Sequence, residues 1–175
     1  MKQITKFLIL AAVMLSFTAA TFAQASSTAT ATATIVVPIS ISAASANMSF
    51  GNVIQTAPAA IASVTLDPAT GTASYSNATA SATPALTAAI TRATFTVSGT
   101  PGAAYSIGLP ASVTLNGPGA NTMIANSFTS SPATPGALSG AGTQTLYVGA
   151  TLNLIANQAG GTYTSGNFTV TVNYQ

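Results

Sequence analysis

From Ala29 to Ser42 the chain reads A-T-A-T-A-T-I-V-V-P-I-S-I-S. Every odd position is apolar: Ala29, Ala31, Ala33, Ile35, Val37, Ile39 and Ile41. Most even positions carry a hydroxyl: Thr30, Thr32, Thr34, Ser40 and Ser42. Successive side chains of a strand point to opposite faces, so this spacing predicts one long strand with a single face for a core. At roughly 3.3 Å per residue the run would reach about 46 Å, more than twice a usual strand. One sandwich domain has no room for that length in one sheet. Either the strand bends midway or its leading part leaves the domain. Pro38 falls on the outward face and has no N–H, which suits an edge, a bulge or a change of sheet.

What precedes this run reads as an export signal. Lys2 and Lys6 come first, then the apolar stretch Phe7 to Phe17, then small residues. Cleavage is expected after Ala23 or Ala25. The apolar stretch is too short to span a bilayer. N-terminal sequencing of the native protein should therefore begin at Gln24 or Ser26, and retention of Met1 would refute the reading. Residues 1–25 are thus expected to be the signal, 26–34 a strand extension and 35–175 the domain.

Beyond the signal the only charged side chains are Arg92 and Asp67. Nucleic-acid and anionic-membrane binding need several cations and are excluded. A surface of Thr, Ser, Asn, Gln and Ala without net charge does not keep copies apart. The chain has no Cys and no His. One carboxylate without His supplies neither an acid–base pair nor a base for a Ser nucleophile. One Asp builds no zinc or calcium site. No catalytic, cofactor-binding or metal-ligating residue is expected, and no cofactor.

The remaining sequence alternates in short runs between turn signals, the pattern of an all-β sandwich, immunoglobulin-like or jelly-roll. Asn47 to Gly51, ending in a Gly turn, and Ala62 to Leu66 are strands. Asp67-Pro68-Ala69-Thr70-Gly71 is a turn that Asp caps and Gly closes, and Arg92 is a candidate partner for Asp67. Ser76 to Thr91 reads as a loop with a helical turn near Leu86 and Ile90. Ala93 to Ser98, Tyr105 to Leu109, Val113 to Leu115 and Met123 to Phe128 are strands. Ser130 to Gly142 reads as an exposed loop. Leu146 to Ile155 reads as two pieces bent at Gly149. A last alternation of Phe168, Val170, Val172 and Tyr174 reaches Gln175. The row Thr28, Thr30, Thr32, Thr34 is a candidate hydroxyl face for ice or sugar. Tyr75, Tyr105, Tyr147, Tyr163 and Tyr174 are candidate sugar platforms, with core or rim packing as the plainer reading of each.

Several landmarks lie in one order: Ile35-Val36-Val37-Pro38-Ile39-Ser40-Ile41, Met48-Ser49-Phe50-Gly51, Asp67 to Gly71, Phe95 to Gly99, Tyr105 to Pro110, Val148 to Leu152 and Phe168 to Tyr174. In these the chain resembles a bacterial family defined as domain of unknown function 4402, over nearly all of the mature sequence. That resemblance implies no activity and no catalytic residue. At the ends, Gly161-x-Tyr163 and the final alternating strand are similar to spore-coat-protein-U and archaic chaperone–usher pilins. This second resemblance implies an incomplete sandwich filled by a neighbour's leading strand, although the Cys pair found in many such subunits is missing here.

The expectation is an exported, non-catalytic structural subunit, in the periplasm, at the cell surface or outside the cell. It would associate with itself or a homologous subunit by strand addition, with a periplasmic chaperone as a further candidate partner. The assembly strand would carry Ala29, Ala31, Ala33, Ile35, Val37, Ile39 and Ile41, and the acceptor edge Phe168, Val170, Val172 and Tyr174. The competing expectation is a secreted binding module or adhesin that recognises a glycan or surface through its loops.

Overall fold

The computed structural model describes residues 24–45, 47–81 and 88–175. The signal up to residue 23 and the helical turn near Leu86 lie outside the described residues. The chain divides into two units, residues 1–35 and 36–175. In the first, residues 24–35 form neither helix nor strand and are exposed throughout.

The second unit is all-β. Its strands are β1 (Ser40–Ser45), β2 (Ser49–Phe50), β3 (Val53–Gln55), β4 (Ala62–Leu66), β5 (Ala73–Ser76), β6 (Ala78–Ala80), β7 (Ile90–Thr91) and β8 (Ala93–Ser98). They continue with β9 (Ala104–Gly108), β10 (Ser112–Asn116), β11 (Thr122–Ser131), β12 (Gly136–Ala137), β13 (Thr143–Leu154), β14 (Thr164–Ser165) and β15 (Thr171–Tyr174). Eight strands form one antiparallel sheet in the order β1-β8-β13-β11-β10-β14, with β4 on β13 and β5 on β4. Three smaller sheets, β12-β9-β15, β2-β7 and β3-β6, complete the unit, and residues of each pack on the core clusters that the large sheet lines. Sheets that bury one face on a shared core make a sandwich.

β13 is the spine. One side pairs with β11 along most of its length. The other side pairs first with β8, from Thr143 to Val148, and then with β4, from Thr151 to Leu154. Its inward residues alternate without a break. Leu146 and Val148 enter one core cluster with Val97, Tyr105 and Val170, and Ala150, Leu152 and Leu154 enter the other with Phe50, Val64 and Leu66. The two pieces expected on either side of Gly149 are one continuous strand. The glycine serves a different need. It sits where the partner changes from β8 to β4, and a Cβ there would collide with the carbonyl of Leu66. Glycine inside a strand often marks such a close backbone approach.

The turn after β4 forms as its residues dictate. Asp67 Oδ1 accepts from the N–H of Ala69 at 2.7 Å and of Thr70 at 3.3 Å. Gly71 (φ 76°) returns its N–H to the Asp67 carbonyl at 2.9 Å. Arg92 does not take the carboxylate. Its guanidinium donates to the carbonyls of Pro68 at 2.6 Å and Ala69 at 2.5 Å, and lies 3.6 Å over the Tyr147 ring. It thus clamps the turn to β13, two residues from Gly149, with a charge-assisted and cation–π contact.

The N–H groups of Ala69 and Thr70, aided by Arg92, hold the Asp67 carboxyl below its ordinary value of 3.8. A lowered folded value means stability that is present above the ordinary value and is lost as pH falls through the lowered one. A modest fall in Tm is therefore expected only below about pH 4. Asp67→Asn should flatten it, and an unchanged acid limb in that variant would refute the assignment.

Other expectations differ in extent. The long strand from Ala29 begins only at Ser40, because β1 has a ladder partner in β8 from Ser40 onward. The last strand is a ladder only from Thr171, where β9 is in reach. The segment 76–91 contains β6 and β7. The stretch 130–142 is more than an exposed loop: it contains β12, which pairs with β9, and Leu138, which is buried. Gly136 there lies flat against the Tyr105 ring, which leaves no space for a Cβ.

Candidate functional site

Neither half of the sandwich core carries a charged or polar residue type: the fully buried set is apolar apart from the hydroxyl of Tyr105. That hydroxyl and the one of Tyr75 are buried with no hydrogen-bond partner among the described residues. Burial alone pushes the Tyr105 phenol above its usual range. An unpaired buried hydroxyl costs stability. Tyr105→Phe should therefore keep or raise the Tm, and a clear drop would mean the hydroxyl has a partner.

The other tyrosines are engaged as well. Tyr163 donates to the Ala159 carbonyl at 2.7 Å and accepts from Gln158 Nε2 at 2.8 Å. Tyr174 donates to the Val37 carbonyl and accepts from the Thr100 N–H, both at 2.6 Å. Tyr147 is covered by Arg92. These rings are core and rim, and they form no open platform. The row Thr28 to Thr34 lies in the part without strand, so it presents no flat face. The ordered hydroxyls are elsewhere. Ser40, Ser98 and Thr143 align across β1, β8 and β13, and Ser42, Thr96 and Thr145 align beside them.

Among the described residues, no group of three His, Cys, Asp or Glu could hold a metal ion. No helix among them is long and apolar enough to cross a membrane.

The residues of the expected assembly strand divide into three groups. Ala29, Ala31, Ala33 and Ile35 are exposed and outside any strand, and Ile35 is 95% accessible. Val37 is tied at its backbone: its N–H donates to Thr100 Oγ1 at 3.1 Å and its carbonyl accepts from Thr100 and Tyr174. Ile39 and Ile41 pack on the chain's own core. The expected acceptor residues Phe168, Val170, Val172 and Tyr174 all turn their side chains to the same core cluster. Their backbone is a different matter. β15 has β9 on one side and no strand on the other among the described residues. Gln175 N–H donates to the Ala104 carbonyl at 3.3 Å. In an antiparallel ladder bonded pairs alternate, so the odd residues face β9 and Val172 and Tyr174 aim N–H and C=O off the free edge.

Next to the chain that leads into β15 the sandwich is open, along residues 163–168. A recess of about 560 Å³ has Phe95, Val113, Leu115 and Phe128 in its floor and Met48 and Phe168 at its sides. A second, of about 680 Å³, adjoins it and shares Met48, Phe50, Leu115 and Tyr163. This groove was not expected. The sequence marks each of its floor residues as inward-facing, but nothing local tells whether a facing strand covers them.

Compared with known proteins, residues 39–174 match the family model described as "Domain of unknown function (DUF4402)". No curated protein and no solved structure matches the chain.

Proposed function

This chain belongs to the DUF4402 family, and from its geometry we propose that it is an exported, non-catalytic structural subunit that assembles by β-strand addition. The observation that carries the proposal is the pairing of two unused parts. Residues 24–35 are exposed and outside any strand, and β15 has one free edge. Strand addition supplies main-chain hydrogen bonds and alternate side-chain contacts, and needs no catalytic group. Unprotected edges are normally blunted by Lys, Pro or a bulge. No Lys occurs beyond residue 6, and none of the last eight residues is charged or Pro. The similarity of the ends to pilins points in the same direction.

Sedimentation and negative-stain microscopy of the processed protein test the proposal. Concentration-dependent, ordered polymers are the expected result, alone or with a homologous subunit. A monodisperse monomer at high concentration under both conditions would overturn it. The second reading, a secreted binding module or adhesin, draws on the hydroxyl rows across β1, β8 and β13. It predicts that monomer, together with retention on a glycan or surface.

A further inference from the structure

Five residues before β15, Gly166 to Val170, form no ladder and make no main-chain hydrogen bond to another described residue. Their exposure nonetheless alternates, with Phe168 and Val170 turned inward and Asn167 and Thr169 outward. Phe168 packs at 5.5 Å, tilted by 46°, on Phe128 in the floor of the recess. This is the burial pattern of a strand without the partner that would make it one. Continuing the parity of β15, Phe168 and Val170 would aim their N–H and C=O away from the side β9 takes, and the chain up to Phe168 lines the recess. On the opposite side, β2 pairs only with β7, over two residues. A gap thus lies between residues 163–168 and 47–50, over an apolar floor contributed by β8, β10 and β11.

We propose that this gap is the acceptor site, and that its occupant is the leading segment of a second copy, with Ile35 as its anchor on the floor. The proposal rests on the strand-addition reading and deepens it by naming the groove. The gap calls for a segment with free main-chain groups, apolar side chains at alternate positions and no charge. Ala29, Ala31, Ala33 and Ile35 supply that alternation, and the segment carries no charged residue. Ile35 is the most exposed of the large apolar side chains, at 95%, followed among its neighbours by Val36 at 57%. Small Ala side chains let the added backbone lie close to the floor, and the branched Ile35 fills its deeper part. The free main-chain groups of 166–168 then gain the partners they lack.

The chain has no Cys, so engineered cysteines report without background. A Cβ added at Gly166 or at Gly140 meets nothing within 4 Å, so both positions tolerate substitution. Ile35→Cys protein mixed with Gly166→Cys protein under mild oxidation should give a mixed disulfide. Its yield should exceed that of Ile35→Cys with Gly140→Cys by about tenfold, a ratio set by local concentration. Equal yields would overturn the proposal. A double Ile35→Cys/Gly166→Cys chain that closes on itself at high dilution would also overturn it, by making the occupant the chain's own segment. Gly166→Trp, which fills the groove, should weaken self-association about tenfold or more at unchanged Tm. If Gly166→Trp associates normally while loss of the leading segment abolishes association, the groove falls and strand addition stands. If the intact protein does not associate, the functional reading itself falls.

Discussion

Gly149→Val should unfold the protein or lower its Tm by about 10 °C or more, from a destabilisation of about 3 kcal/mol. The new Cβ would meet only backbone. It would collide with the Leu66 carbonyl oxygen and stand 3.0 Å from both the Leu66 carbonyl carbon and the Pro68 nitrogen. A side-chain neighbour swings away at small cost, but these atoms belong to the end of β4 and to the turn that Arg92 holds on Tyr147. Relief would require the β4–β13 ladder to separate at its start. Domains of this size keep only about 5–15 kcal/mol of net stability, so the loss is a large share. Gly149→Ala should show most of the effect, because the Cβ alone makes the collision. Gly140→Ala is the matched control, since a Cβ there meets nothing within 4 Å. Equal melting temperatures for Gly149→Val and the parent would disprove the close approach.

Deleting Ser26 to Thr34 should have the opposite profile: an unchanged fold and a lost assembly. Every one of these residues is exposed and outside any strand, so their removal uncovers no core and breaks no ladder. The expected Tm change is within about 2 °C, the range of surface changes that touch no buried group. Self-association, in contrast, should fall below detection, because the added strand is gone. Thr32→Pro should do much the same by deleting an N–H from the middle of that strand. Unfolding of the deletion variant would mean that the segment completes its own domain. Persistent polymers would mean that another edge is in use.

The two variants also mark how far the fold could be read from the sequence. Alternation located most of the strands because burial of one face imposes a period of two on any strand, whatever its neighbours. It located most of β13, as Leu146 to Ile155, though in two pieces. It could not say why position 149 must be glycine, since the cause is Leu66, more than eighty residues earlier, and only the completed ladder brings the two together. Leu138, buried in the structure, looks like part of an exposed loop in the sequence for the same reason. Its burial depends on distant residues, among them Val97, Tyr105 and Val170, which share its core cluster. The turn at Asp67 was legible because its hydrogen bonds stay within five residues. The role of Arg92 was legible only in part. It lies at the Asp67 turn, but it holds carbonyls there, because the carboxylate is already taken by local N–H groups. The free edge of β15 was suggested by its pattern. The groove beside it was not, since an uncovered floor and a covered one are written with the same residues.

β13 has a further consequence for how the domain comes apart. Its Leu146 and Val148 belong to one core cluster, and its Ala150, Leu152 and Leu154 belong to the other. A strand is a single main chain, so neither cluster can open widely without pulling on the ladder that serves the other. The slowest-exchanging amides of β8 and β4, which flank β13 at its two ends, should therefore share one opening free energy and belong to a single cooperative unit.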